Sequence, residues 1–251
     1  MRLRLLLLLL LTYTTVLARQ KDTVLITPGS TLLETGKLDE YHLSYDLFSI
    51  KDGKEIKIGS LEDSFVLTTH NNKKAGLRIC NIVFGANTIL DSGLCYLADL
   101  KPVYHRSVQT KKRLHLLFDA NEVNGFIIIP GDPAKEEQIS YHAETPLFDS
   151  YYEDIIVKTL PYKTGLLFKF PEYIYERGGL VWTSGKVESK QTIQDPGGKT
   201  DTLWKIVLYE QNITGATTRE TRYLINEEKR QIVFREYKMA TGFIFMKPRS
   251  L

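Results

Sequence analysis

From Tyr41 to Tyr237 the chain is written in short alternating runs of apolar and polar residues, and this patterning limits its fold more than any other feature. Tyr41, Leu43, Tyr45 and Leu47 alternate with His42, Ser44 and Asp46. Successive side chains on an extended strand point to opposite faces, so such a run is a half-buried β-strand. Asp52-Gly53 then supplies a hairpin turn before Ile56 and Ile58. Further strand-like runs are Ser64–Thr69, Leu77–Phe84, Leu94–Leu100, Arg113–Phe118, Gly125–Ile129 and Gln138–His142. They continue with Gly165–Phe170, Leu180–Val187, Leu203–Glu210, Arg219–Ile225 and Gln231–Tyr237. Asn71-Asn72, Gly131-Asp132-Pro133, Asp195-Pro196-Gly197-Gly198 and Asn226-Glu227-Glu228-Lys229 punctuate them as turns. This order predicts an all-β protein and does not argue for alternating βαβ units.

One segment breaks the pattern. Ser150, with Glu153 three residues on, has the form of a capping box, and Pro161 closes the run. Tyr152, Ile155, Ile156 and Leu160 between them predict a short amphipathic helix over residues 150–159. Its apolar stripe needs a partner, and a curved sheet is the one large apolar surface on offer. The expected architecture is a curved antiparallel sheet, a half-barrel, with this helix plugging its concave face.

Met1 to Ala18 reads as a secretory leader. Arg2 and Arg4 precede an unbroken Leu5–Leu11 run, and Val16-Leu17-Ala18 offers a cleavage site after Ala18. The apolar run falls short of the about 20 residues that span a bilayer. The expected organisation is leader 1–18, lead-in 19–37 and a single β domain over 38–251, without a transmembrane segment once the leader is removed. Of the 33 basic residues two lie in the leader, leaving 31 against 30 acidic ones. So even a balance gives no support for a nucleic-acid partner. Export makes a Cys80–Cys95 disulfide an alternative to two unpaired thiols on neighbouring strands. Those strands, Leu77–Phe84 and Leu94–Leu100, would pair through a turn at Asp91-Ser92-Gly93.

The order of several short motifs carries a resemblance. Leu100-Lys101-Pro102-Val103-Tyr104-His105-Arg106-Ser107 precedes Phe118-Asp119 and Val123-Asn124-Gly125. Phe148-Asp149-Ser150 leads the helix into Leu160-Pro161-Tyr162-Lys163-Thr164-Gly165. Leu203-Trp204-Lys205-Ile206, Tyr223-Leu224-Ile225-Asn226 and Arg230-Gln231-Ile232-Val233 follow. Over about residues 38–247 this order resembles a family of exported bacterial proteins catalogued as a domain of unknown function. Its members look like curved antiparallel half-barrels, similar in outline to the periplasmic carrier of lipoproteins. The resemblance implies a hydrophobic ligand on the concave face and carries over no catalytic residue. The Cys80–Cys95 pair stands outside the family pattern.

No catalytic constellation rises above chance. There is no Gly-x-Ser-x-Gly elbow, no His-Glu-x-x-His and no phosphate-cradling glycine loop, hence no cofactor motif. His105, His115 and His142 on successive strands could meet a metal only by converging with Asp119 or Glu144, and are otherwise surface histidines. A hydrolase built on Ser107 and His105 would need a separate orienting acid. His105-Arg106 with Lys111-Lys112-Arg113 forms a basic cluster that reads as a solvated hairpin tip or an anion contact. Asn212-Ile213-Thr214 is a glycosylation sequon that a bacterial protein would leave bare. The aromatic residues, 11% of the chain, either fill the core or line a groove. Phe118, Phe168, Phe170, Trp182 and Trp204 are the candidates for the second role. The reading is a non-enzymatic exported envelope protein that binds a lipid, acyl chain or peptide on the concave face. The alternative is a module that docks on another envelope protein by edge-strand pairing.

Overall fold

Asp52 and Gly53 both take left-handed backbone angles, and so do Asn71 and Asn72. These are the two-residue turns whose twist matches that of paired strands. They join Tyr41–Lys51 (β2) to Lys54–His70 (β3) and β3 to Lys73–Phe84 (β4). A computed structural model describes residues 23–131, 135–194, 200–211, 215–239 and 242–249. The leader with its site at Ala18, the turn at 195–198, most of that at 131–133 and the sequon at 212–214 lie outside the described residues.

From β4 the sheet continues through Asn87–Tyr96 (β5), Pro102–Gln109 (β6), Arg113–Asp119 (β7), Glu122–Ile129 (β8) and Lys135–His142 (β9). Val24–Leu25 (β1) and Phe148–Asp149 (β10) both pair in parallel with Leu167–Ile174 (β11). The remaining strands are Gly179–Gln194 (β12), Thr200–Gln211 (β13), Thr217–Asn226 (β14), Ile232–Met239 (β15) and Gly242–Pro248 (β16). Among the described residues sixteen strands make one sheet, in the order β1-β11-β12-β13-β14-β15-β16-β2-β3-β4-β5-β6-β7-β8-β9, with β10 beside β11. The expected all-β, curved antiparallel sheet with one short helix inside it is the observed fold. The run Gly242–Pro248 was not among the expected strands, yet it joins the two halves of the chain between β15 and β2.

The sheet curls until its two ends meet through side chains. β10 lies against β6. Tyr173 and Leu180 pack with Leu114, Leu116, Val123 and Tyr141 in a second core cluster. The main core fills the rest of the curl, around the helix. The lead-in contributes Ile26 and Leu33 to it, and Leu38, directly after, is buried there too.

The helix consists of a 3-10 turn, Ser150–Tyr152, and the α-helix Glu153–Thr159 (α1). Two details differ from the capping box expected at Ser150 and Glu153. Asp149 is the N-cap, accepting a hydrogen bond from the Tyr151 amide at 3.2 Å. Glu153 instead points at the sheet, as described below. Nor is α1 amphipathic, for every residue from Glu153 to Thr159 is buried. At its C-terminal end Arg230 donates to the carbonyls of Lys158 at 3.0 Å and Leu160 at 2.8 Å. The guanidinium thereby satisfies acceptors that a helix end leaves open. Among the described residues no helix is long and apolar enough to cross a membrane.

Asp91-Ser92-Gly93 is no turn; the β4–β5 hairpin turns at Gly85, and Gly93 sits inside β5. A β-carbon there would lie 2.8 Å from both the Tyr151 ring and the Tyr152 hydroxyl. The glycine lets the residues leading into the helix cross the strand. The register also rules out the disulfide. Cys80 stands opposite Asp91 and Cys95 opposite Gly76, four positions apart along β4. That is about 13 Å at a strand's rise per residue, beyond the roughly 4.4–6.8 Å a disulfide spans. Both cysteines are free and buried, and burial pushes each thiol up to about 12.

Tyr152, Ile155, Ile156 and Leu160 are at most 1% exposed and belong to the main core. Ile156→Ala should therefore cost about 2–5 kcal/mol of unfolding free energy in urea titration. A loss below about 0.5 kcal/mol would mean that the site is not packed.

Candidate functional site

The inner face of the curl carries charge at its centre. Arg78 on β4 donates from Nε and Nη2 to the two carboxylate oxygens of Asp63 on β3, each at 3.0 Å. Its Nη2 also meets Asp154 Oδ2 at 2.5 Å, and its Nη1 the Tyr151 carbonyl at 2.5 Å. Arg235 on β15 reaches the same Asp154 oxygen, and the Tyr223 hydroxyl donates to the other at 3.0 Å. Glu153 accepts from Tyr223 at 2.6 Å and pairs with Arg219 on β14. Glu210 on β13 extends the seam to Arg219 at 3.3 Å and to Arg177 at 3.0 Å.

Burial alone would raise the Asp154 carboxyl, but the guanidiniums of Arg235 and Arg78 hold it well below the usual carboxylate range. Asp63 is also lowered, against the cost of its burial, chiefly by Arg78. Lys158 has no oxyanion within hydrogen-bond reach. Its Nζ lies 3.6 Å from the centre of the Tyr41 ring, and burial brings its pKa down to about 8. Glu172 on β11 is fully buried. Thr183 donates to its Oε2 at 2.7 Å, and burial with the nearby Glu153 charge raises its pKa well above the usual value.

Three clefts run beside this seam. The central one, of about 150 Å³, is bordered by Arg78, Cys80, Asp91, Tyr151, Asp154 and Arg235. Next to it a trough of about 260 Å³ is lined by Leu47, Leu61, Ile82, Phe84 and Ile244, with Arg219, Arg235 and Tyr237 at its inner end. Leu61, Ile82 and the two arginines border both, so the two are contiguous. On the opposite side, where the ends of the sheet meet, a polar cavity of about 200 Å³ holds His105, Ser107, Asp149 and Tyr175.

The family model described as "Protein of unknown function (DUF3108)" matches residues 40–246. The chain belongs to this family. No curated protein and no solved structure matches it.

The aromatic candidates do not gather around these clefts. Phe168 and Phe170 are fully buried, their rings stacked at 6.2 Å inside the core. Trp204 is buried beside Tyr162. Phe118 packs edge-on to Tyr173 in the second cluster. Trp182 is half-buried under the Lys169 ammonium, 5.0 Å from its ring. None of the five borders the three clefts. The trough is mostly aliphatic instead, and its residues look unremarkable in sequence because they come one or two at a time from β16, β2, β3 and β4. The histidines do not converge. His115 lies edge-on to Phe126, and His142 is exposed beside Glu122. His105 is turned inward, stacked on Tyr151 at 4.6 Å, and its orienting acid, Asp149, arrives from a strand more than forty positions away. In the basic cluster, Lys112 is paired with Glu176.

Two outcomes follow from the seam. Asp154→Asn leaves two buried guanidiniums short of their shared charge and should cost about 3–5 kcal/mol in urea unfolding. Glu172 should make stability pH-dependent. Between the ordinary carboxylate value near 4.5 and its raised folded value, the folded chain holds a proton that the unfolded chain releases. Stability then falls as pH rises through that window, by up to about 1.4 kcal/mol per pH unit. Glu172→Gln should remove this slope in unfolding curves taken from pH 5 upward, and an unchanged slope would assign it to another group.

Proposed function

We propose that the chain is a non-enzymatic exported protein that binds an amphiphile. The ligand's apolar chain lies over Leu47, Leu61, Ile82, Phe84 and Ile244, and its polar head points to Arg219, Arg235 and Tyr237. The supporting observation is the contiguity of the aliphatic trough, about 260 Å³, with the charged cleft of about 150 Å³. Their joint size and their mixture of apolar wall with a few fixed polar groups are those of a small-molecule site. Phe84 is 41% exposed at the trough, an apolar surface turned to solvent on the inner face. The buried Nε of Arg235 has no protein partner, so the head end offers a free donor. Export is supported by the Arg2–Ala18 pattern. Edge-strand docking has weaker support, because the free edge strand β9 opens with Lys135, Glu136 and Glu137, charges that discourage pairing.

Dodecanoate or dodecylphosphocholine, added below micelle formation, should raise the melting temperature saturably, since a ligand that binds only the native state stabilises it. Ile82→Asp, at a partly exposed position, should abolish the rise while the free protein still unfolds cooperatively. No rise with any amphiphile, or a rise that Ile82→Asp leaves intact, would overturn the reading.

A further inference from the structure

We infer that the polar cavity at the closure of the sheet is a second binding site, for a neutral, hydroxyl-rich ligand the size of a monosaccharide. It goes beyond the amphiphile reading and does not depend on it. The cavity lies where β5, β6 and β7 face β10, β11 and the turn Tyr175–Arg177, a junction made by side chains rather than by a strand ladder. Its volume, about 200 Å³, is that of roughly six or seven waters in the liquid.

Its polar groups are built in, and several are unpaired. The His105 Nδ1 lies 3.1 Å from Asp149 Oδ2, an ion pair whose groups are 12% and 1% exposed. The other nitrogen of the ring, Nε2, is buried and has no protein partner. Asp91 Oδ1 is likewise buried and unpartnered. Ser107 is 2% exposed and accepts from the Gln109 amide at 3.0 Å. Buried polar atoms normally find partners, and each unpaired one costs free energy until it does. The cavity thus presents an unpaired ring nitrogen, an unpaired carboxyl oxygen and hydroxyl groups between tyrosine rings.

Charge selects the ligand class. His105 faces Asp149, whose carboxylate raises the imidazole pKa against the cost of burial, Glu176 at the rim is paired with Lys112, and burial raises Asp91 toward its neutral form. Neither an anion nor a cation gains a net opposite charge here. A neutral polyol has both donors and acceptors for the unpaired atoms. Its C–H face can lie on Tyr151, Tyr173 or Tyr175, as small-ligand sites combine apolar walls with a few placed polar groups.

The test is calorimetric titration of the full chain with glucose, galactose and N-acetylglucosamine, beside choline and inorganic phosphate as charged controls. NMR of the His105 imidazole would be followed in the same titrations. At least one sugar should bind saturably and shift the His105 resonances, and the charged controls should not. Gln109→Leu, which leaves the His105–Asp149 pair in place, and Asp91→Asn should each weaken that sugar about tenfold or more at unchanged fold. Binding of choline or phosphate alone, sugar binding without a His105 shift, or no binding at all would overturn the proposal.

Discussion

A single carboxylate sets the curvature of the molecule. Asp154 meets Arg78 on β4 and Arg235 on β15, strands separated in the sheet by β16, β2 and β3. Four strand steps cover about 19 Å along a flat sheet. Two guanidiniums that far apart reach one oxygen only if the sheet bends around it. Ion pairs this deep are seldom worth more than apolar residues of the same shape, because desolvation offsets the attraction. Their effect is on specificity. Glu153 takes the Arg219 side and Asp154 the Arg78 and Arg235 side, so the helix can be seated in one register and one rotation. Any other seating would bury unpaired charge.

The same charges explain what the sequence did and did not disclose. Strand patterning was legible because Tyr41, Leu43, Tyr45 and Leu47 face the interior over a run long enough to show its period. The helix was legible because Tyr152, Ile155, Ile156 and Leu160 stand together in a chain of strands. The facing of the central strands was not. In β4 Arg78 and Cys80 face inward beside Ile82 and Phe84, while the apolar Ile79 is 37% exposed. In β14 the run Arg219-Glu220-Thr221-Arg222-Tyr223 is nearly all polar, and its buried members are Thr221 and Tyr223. A reading that sends apolar residues inward inverts such strands, because buried arginines are paid for by partners on other elements, which spacing along one strand cannot reveal.

Register was the second hidden variable. Cys80 and Cys95 share a face on neighbouring strands, as the pattern allows, and only the cross-strand partners Asp91 and Gly76 show that they miss each other. His105 illustrates the converse. Its strand neighbours give no hint of function, and Asp149 reaches it because β10 is delivered to the seam by the run into the helix. The aromatic residues misled for a related reason. Phe168 and Phe170 pack opposite Gly185 and Thr183, small partners that leave room for rings to be swallowed by the core.

The size of the helix explains why clefts survive at all. Seven residues of α-helix are about 10 Å long and about 10 Å across with their side chains. A curled sheet of this many strands encloses more than such a plug can fill. The helix occupies the middle, where Arg78, Arg219 and Arg235 fix it, and unfilled space remains on both flanks. What each flank accepts then depends on the strands beneath it. β16, β2, β3 and β4 supply Ile244, Leu47, Leu61, Ile82 and Phe84, which have nothing to offer a polar group. β5, β6 and β10 supply Asp91, His105, Ser107 and Asp149, where an apolar occupant would leave the unpaired His105 Nε2 and Asp91 Oδ1 unsatisfied. The two flanks therefore exclude each other's ligands, and a molecule that satisfied both would need an apolar end and a hydroxylated end on either side of the arginine seam.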